Sequence, residues 1–194
     1  MHHVPTHRLA RGAAALAAAA TASLVLLTVA GSPAAAAGSA RTDPAPAMSD
    51  TDITRLLDSA DAAVCTEGAD AQMRCYTTEA DYRAAEGLSG AEVGTLSMSE
   101  CPSGYFCLWE WTGYGGDRVQ YRVAGTKDLY SYWRDRGTSY YNRRAAGGRL
   151  VDIRSALPDP NLYFPAGGHH SDLGKESYVY GGNWNNKVDR IVLS

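Results

Sequence analysis

The chain has 194 residues, of which 18 are basic, 21 are acidic and 45% are hydrophobic, with a formal net charge of −3 at pH 7. This length suits one domain, or one domain with an appendage. The acidic balance argues against nucleic acid as a partner, because phosphate binding needs a basic face.

The first segment, residues 1–37, has the pattern of a secretory signal peptide. Arg8 and Arg11, with no acidic residue nearby, precede the apolar run GAAALAAAATASLVLLTVAG, and the small residues SPAAAAGSA follow. This order predicts cleavage after Ala37 rather than a membrane anchor. We therefore expect an extracellular protein without membrane contact, in which 16 basic residues face 21 acidic ones.

All four cysteines lie in the exported part, at Cys65, Cys75, Cys101 and Cys107. An even number of cysteines outside the cell implies disulfides. Three pairings are possible, and the short separations with turn-forming residues between the partners favour Cys65–Cys75 and Cys101–Cys107. The alternative is a zinc site made of four thiolates, but separations of ten and six residues do not match the short C-x2-4-C spacing of zinc folds.

Residues 38–50 are predicted to be a linker, and residues 51–97 an acidic helical leader with one disulfide. A first helix is indicated by apolar residues that recur on one helical face, namely Ile53, Leu56, Leu57, Ala60 and Val64. A second helix is predicted to start at Thr78 and to end at Gly87. The Cys65–Cys75 bond would then join the two helices. The leader is expected to stabilise the rest of the chain, with a removable pro-segment as the alternative.

Composition changes near residue 100, because 16 of the 18 aromatic residues lie in residues 101–194. Short runs rich in aromatic and β-branched residues, separated by Gly, Pro, Asn and Asp, predict a mainly β domain over residues 98–194. These runs are YFCLWEW, RVQYRV, RLVDIRSAL, LYFPAG, ESYVYGG and VDRIVLS. A weak repeat, with WRDRGTSYYNR starting at Trp133 and WNNKVDRIVLS at Trp184, predicts two stacked Greek-key motifs.

The run CPSGYFCLWEWTGYGG predicts a structural corner rather than a catalytic loop. Its four corner residues are Trp109, Glu110, Tyr114 and Gly116. A hairpin that folds back over its sheet needs an aromatic side chain under the fold and a glycine where φ is positive, and Tyr114 and Gly116 suit these roles. The Cys101–Cys107 loop is expected to pin this corner.

The corner spacing resembles that of βγ-crystallins, and the whole run is similar to secreted bacterial proteins of the streptomycete metalloproteinase inhibitor family, whose hallmark is a C-P-x-G-x-x-C pair. The resemblance covers residues 101–194. It implies a βγ-crystallin-like double Greek-key sandwich, here preceded by a short α-helical leader. It also implies a secreted inhibitor of thermolysin-like metallopeptidases that inserts a rigid loop into the protease cleft.

The chain departs from this family in one respect. The resemblance implies a second cysteine pair around the reactive bond late in the domain, yet no cysteine follows Cys107. The glycine-flanked residues 164–173 form the loop that we expect to insert.

Two other functions stay open. Calcium-binding βγ-crystallins resemble one another in a run of two Asn/Asp, any two residues, Ser/Thr and Ser, which supplies oxygen ligands. RDRGTS (residues 134–139) and NNKVDR (residues 185–190) partly match this run, each with an arginine at one of its positions. Aromatic residues with flanking amides, as in YGGNWNN, would suit a carbohydrate or cell-wall binding module.

An enzyme is not expected, because neither H-E-x-x-H nor G-x-S-x-G occurs in the chain. We therefore predict no catalytic residues and no cofactor. The expected protein is a monomer whose partner is an extracellular protease.

Overall fold

The computed structural model describes residues 46–59, 63–88 and 98–194. The predicted signal peptide, its cleavage site and Ala60 lie outside these residues. Within the described ranges, no helix combines the length and apolarity that crossing a membrane requires.

The described residues form two α-helices and ten β-strands. The helices are α1 (Asp50–Ser59) and α2 (Glu79–Ala85). The strands are β1 (Val64–Glu67), β2 (Met73–Tyr76), β3 (Phe106–Trp111), β4 (Gly115–Tyr121), β5 (Gly125–Asp128), β6 (Ser139–Asn142), β7 (Gly148–Val151), β8 (Asn161–Phe164), β9 (His169–His170) and β10 (Arg190–Leu193).

The strands make two sheets, one with the order β2-β1-β4-β3-β6-β9 and the other with the order β5-β10-β7-β8. Strands β3 to β6 form one four-stranded motif, and β7 to β10 form the next. The third strand of each motif lies in the sheet that contains the other strands of the neighbouring motif. Strand β5 therefore pairs with β10, and β9 pairs with β6. This exchange is a double Greek key, and the predicted mainly β fold is confirmed.

The repeat seen in the sequence marks the same position in both motifs. Trp133 and Trp184 are 0% and 3% exposed, and each precedes the fourth strand of its motif, β6 or β10. Both rings belong to one core with apolar residues of the two sheets, including Phe106, Leu150 and Ile191. The two motifs therefore bury their apolar faces against each other.

One predicted strand is shorter than expected, and another predicted strand is a loop. The run RLVDIRSAL forms a strand only as far as Val151, and the residues beyond it form a loop. The run ESYVYGG is a loop with a single bridge from Ser177 to Asn183, because Gly181 and Gly182 turn the chain with φ of +94° and +80°. Strands β5 and β9 come from polar, short segments that carry no strand pattern of their own.

The leader contains the two predicted helices. Ile53 and Leu57 are the buried residues of α1, and Thr78 caps α2 by accepting a hydrogen bond from the Asp81 N–H at 3.0 Å. Gly87 follows α2 with a φ of +65°.

Between the helices lies a β-hairpin that the sequence analysis did not predict. Val64 belongs to β1 and not to the apolar face of a helix, so that prediction is wrong. Cys65 and Cys75 stand directly opposite each other in β1 and β2, and their disulfide closes the hairpin instead of joining two helices. The physical reason is a contact between segments that are distant in sequence. Strand β1 pairs in parallel with β4, and this pairing outweighs the helical spacing of the apolar residues.

Candidate functional site

The predicted corner lies at the turn between β3 and β4. Trp109 is 0% exposed, and the Tyr114 ring meets it edge-on with 5.3 Å between the ring centroids. Gly116 has a φ of +72°, and a Cβ atom there would lie 2.9 Å from the Trp111 ring. Glu110 pairs with Arg136 at 3.2 Å. These contacts hold the turn, and none of them creates a reactive group.

The four cysteines form the two predicted disulfides, Cys65–Cys75 and Cys101–Cys107, and none is free. The four-thiolate zinc site is therefore wrong, since the sulfurs are bonded in two separate pairs. Cys101 and Cys107 are fully buried and form a small cluster with Trp109. This cluster places the Cys101–Cys107 loop against the corner.

The segment 164–173 is fixed at both ends. Phe164 and Leu173 are 3% and 0% exposed, and His169 and His170 form β9 in the six-stranded sheet. What projects is a short turn that includes Ala166.

A second segment projects further. Residues 153–159, named here the exposed loop, connect β7 to β8 and form the longest unbroken run of exposed residues in the described part of the chain. The loop bends at residues 155–157. Its Ile153 and Leu157 side chains are 38% and 48% exposed, although both are apolar. Such a segment offers apolar contact area to another molecule.

Hydrogen bonds brace both ends of the exposed loop. The Ile153 N–H donates to the Asp189 carboxylate at 2.8 Å, and the Arg154 N–H donates to the Asp159 carboxylate at 2.8 Å. On the other side, the Tyr180 hydroxyl donates to the Pro158 carbonyl at 2.8 Å. The loop is therefore exposed and held in one shape at the same time.

An aromatic surface adjoins the loop. Tyr163, Val179 and Tyr180 are 71%, 72% and 41% exposed. A groove of about 570 Å³ runs between β8 and the segment 177–184, and Pro158 of the exposed loop is part of its wall. Loop and groove thus form one continuous face.

At the base of the loop stands an aspartate triad made of Asp135, Asp152 and Asp189. One carboxylate oxygen of each lies within 4.8 Å of those of the other two. Burial, together with the charges of Asp135 and Asp152, raises the pKa of Asp189 above its ordinary value. Oxygen ligands from three carboxylates are what Ca²⁺ prefers in proteins.

The triad brings the two predicted calcium runs together. Asp135 comes from residues 134–139 and Asp189 from residues 185–190, so the runs contribute to one cluster instead of two separate sites. Their arginines bond elsewhere: Arg134 donates to the Leu129 carbonyl at 3.1 Å, and Arg190 pairs with Asp128.

Comparison with protein families finds one match, in which residues 95–150 fit the family described as peptidase inhibitor family I36. This match confirms the resemblance to the streptomycete metalloproteinase inhibitor family. It covers the corner, the Cys101–Cys107 loop and the first Greek-key motif. A match to an inhibitor family supports the role of a peptidase inhibitor and the prediction that the protein is not an enzyme. An inhibitor with two disulfides is compatible with secretion.

Among solved structures, the chain is similar to a beta gamma crystallin from Ciona intestinalis. The identity is 21%, the alignment covers 47% of this chain and 100% of the crystallin, and the TM-score is 0.32. No curated protein matches significantly.

The exposed loop, Asp152 and Tyr180 were not predicted from the sequence. A signal for the loop was present, because Pro158, Asp159 and Pro160 end any strand that begins at Arg149. No sequence signal indicates that Asp152 meets Asp135 and Asp189, since these residues are far apart in the chain.

Proposed function

We propose that this protein inhibits an extracellular peptidase of the thermolysin-like class by docking the exposed loop into the peptidase cleft. The observation that carries the proposal is a loop that is both exposed over residues 153–159 and braced by hydrogen bonds at both ends. The family match supports the inhibitor role. We further propose that the signal peptide is cleaved and that the protein acts as a monomer.

Rigidity is what an inhibitory loop needs. A loop that is ordered before binding loses little conformational entropy when it docks, so more of the contact energy becomes affinity. In the family that this chain resembles, a late disulfide would supply that rigidity. Here the hydrogen bonds to Asp189, Asp159 and Pro158 take its place.

Leu157 is the anchor that we assign to the loop. Its side chain is 48% exposed at the bend, and the next residue is Pro158, which restricts the backbone that follows. An apolar side chain entering a protease subsite is buried on binding and supplies hydrophobic free energy. The groove beside Tyr163 and Tyr180 would extend this contact.

The corner and the leader have structural roles in this proposal. Trp109, Glu110, Tyr114 and Gly116 shape the β3–β4 turn, and residues 46–88 stabilise residues 98–194. A removable pro-segment is disfavoured because β1 is hydrogen-bonded into the sheet beside β4.

The test compares two exposed alanines, Ala156 in the exposed loop and Ala166 in the turn of residues 164–173. Purified protein is titrated against a thermolysin-like metallopeptidase and against a serine protease. Wild type and A166R should inhibit the metallopeptidase equally, whereas A156R should weaken inhibition at least about a hundredfold, as for a hot-spot contact. Inhibition that is lost in A166R and kept in A156R would move the docking site to residues 164–173.

Calcium binding is a second candidate, favoured by the meeting of Asp135, Asp152 and Asp189 within 4.8 Å. Calorimetry with calcium after chelator treatment tests it. Heat that is present in wild type and in D58N, an exposed control on α1, but absent in D135N would support a calcium site. The absence of a heat of binding at millimolar calcium would contradict calcium binding by the aspartate triad.

A further inference from the structure

Trp111 differs from the other tryptophans of the chain. All four are described, and Trp109, Trp133 and Trp184 are 0%, 0% and 3% exposed, whereas Trp111 is 59% exposed. The corner spacing assigns roles to Trp109 and Tyr114 but none to Trp111. Neither the fold nor the exposed loop accounts for this side chain.

The Trp111 ring is held in place although it is exposed. It lies against the start of β4, where a Cβ on Gly116 would come within 2.9 to 3.1 Å of three ring atoms, and a Cβ on Gly115 within 3.6 Å of a fourth. At Gly116 only a residue without a side chain allows this approach, whereas the distance at Gly115 is an ordinary van der Waals contact. One face of the indole therefore rests on the β4 backbone, which leaves a flat aromatic platform toward solvent.

Polar groups surround the platform in a cleft of about 460 Å³, named here the Trp111 cleft. Glu110 and Arg136 pair across it at 3.2 Å, and Asn185 and Asn186 form another part of its wall. The Asn185 Oδ1 atom is buried and has no hydrogen-bond partner among the described residues. Because this atom has no accessible surface, a ligand would bond instead to the exposed polar groups of the cleft wall, such as the Asn186 side chain.

The composition of the cleft selects the class of ligand. Trp111 is the only apolar residue among the described ones that line it, so an apolar peptide would find too little contact area. Glu110 and Asp135 disfavour a phosphate or another anion, and Arg136 neutralises part of their charge. A ligand with one apolar face and many hydroxyl groups fits best, because its C–H face packs on the ring and its hydroxyls reach the polar rim.

We propose that the Trp111 cleft binds a neutral saccharide chain built from β-linked hexose or N-acetylhexosamine units. One pyranose ring stacks on the open face of Trp111, and its hydroxyl groups bond to the polar side chains of the cleft wall, which include Glu110 and Asn186. Trp111 lies on the β3–β4 turn, and the cleft adjoins the pocket beside the exposed loop, with which it shares Asp135 and Asn186. Saccharide binding at Trp111 does not depend on peptidase inhibition. It would attach the protein to extracellular polysaccharide.

The experiment titrates the full exported protein with cellohexaose and, separately, with chitohexaose. Because Trp111 is the exposed tryptophan, its fluorescence should shift on binding, and calorimetry gives the affinity. W111A should bind at least about tenfold more weakly, consistent with the loss of one stacked ring. In contrast, Y163A, which removes an exposed aromatic ring outside the cleft, should bind like wild type.

Peptidase inhibition is measured on the same variants to separate the two sites. W111A should inhibit like wild type, and A156R should bind saccharide like wild type. The saccharide proposal is overturned if neither oligosaccharide changes the fluorescence up to about 10 mM, which corresponds to negligible affinity. It is also overturned if W111A binds as well as wild type, or if W111A loses peptidase inhibition, since Trp111 would then contact the peptidase.

Discussion

The Arg118 guanidinium lies 2.9 Å from the Glu79 carboxylate and thereby joins strand β4 to helix α2 of the leader. The Arg118 side chain is 0% exposed, and its Nε atom also donates to Gln120 at 3.0 Å. A buried charge is tolerated only with a partner. The leader supplies the nearer of two carboxylate partners, since Glu100 lies 3.5 Å from the same guanidinium. The Arg118–Glu79 pair therefore ties residues 46–88 to the Greek-key strands.

Removing this partner should destabilise the protein strongly. In E79A the Arg118 charge stays buried and keeps only the Glu100 carboxylate, which lies 3.5 Å away, so the free energy of unfolding should fall by about 2 kcal/mol. Urea denaturation measures this change, and D58A, an exposed site on α1, should change it by less than about 0.5 kcal/mol. An E79A variant as stable as D58A would show that the leader does not stabilise the fold through this pair.

The pH dependence of stability should report the aspartate triad. Burial and the neighbouring Asp135 and Asp152 raise the pKa of Asp189 above its ordinary value of 3.8. The folded state therefore binds a proton more tightly than the unfolded state, and this stabilising contribution is complete below pH 3.8 and is lost as pH rises through the raised pKa.

D189N removes this ionisation and leaves an oxygen that can still accept the Ile153 N–H. Relative to D189N, wild type should lose stability between acid and neutral pH, as measured by urea denaturation across that range. Identical pH profiles for the two proteins would contradict a triad with a raised pKa.

Gly116 and Gly113 provide a matched pair for the corner. Their φ angles are +72° and +71°, but a Cβ at Gly113 meets nothing within 4 Å, whereas one at Gly116 meets the Trp111 ring. G113A should destabilise by about 1 kcal/mol through backbone strain alone. G116A should lower the free energy of unfolding by about 1 kcal/mol more than G113A does, because the Trp111 ring must move.

A double-mutant cycle isolates that second contribution. In a W111A background, G116A and G113A should cost the same free energy of unfolding, since the obstructing ring is gone. A difference that survives in W111A would show that the indole does not rest on Gly116.

Features with a local cause could be predicted from the sequence. Each cysteine pairs with its near neighbour, Gly116 stands where φ is positive, and Trp133 and Trp184 each precede the last strand of a motif. Features caused by distant contacts could not. The β1–β2 hairpin forms because the edge of β4 is available to pair with it, although Ile53, Leu57 and Val64 have helical spacing.

The shape of the exposed loop could not be predicted from the sequence for the same reason. Ile153 and Leu157 extend the apolar run of β7, so the run resembles a strand that is longer than the real one. The loop takes its shape instead from Asp189, which follows 36 residues after Ile153, and from Tyr180. Hydrogen bonds from side chains that are distant in sequence cannot be predicted from a local sequence pattern.

The most direct test of peptidase inhibition is a titration of a thermolysin-like metallopeptidase of known active concentration with the purified wild-type protein. We expect a linear loss of peptidase activity that ends at one inhibitor per peptidase, and no such loss with the A156R variant. Full peptidase activity in the presence of a micromolar excess of wild-type protein would contradict it.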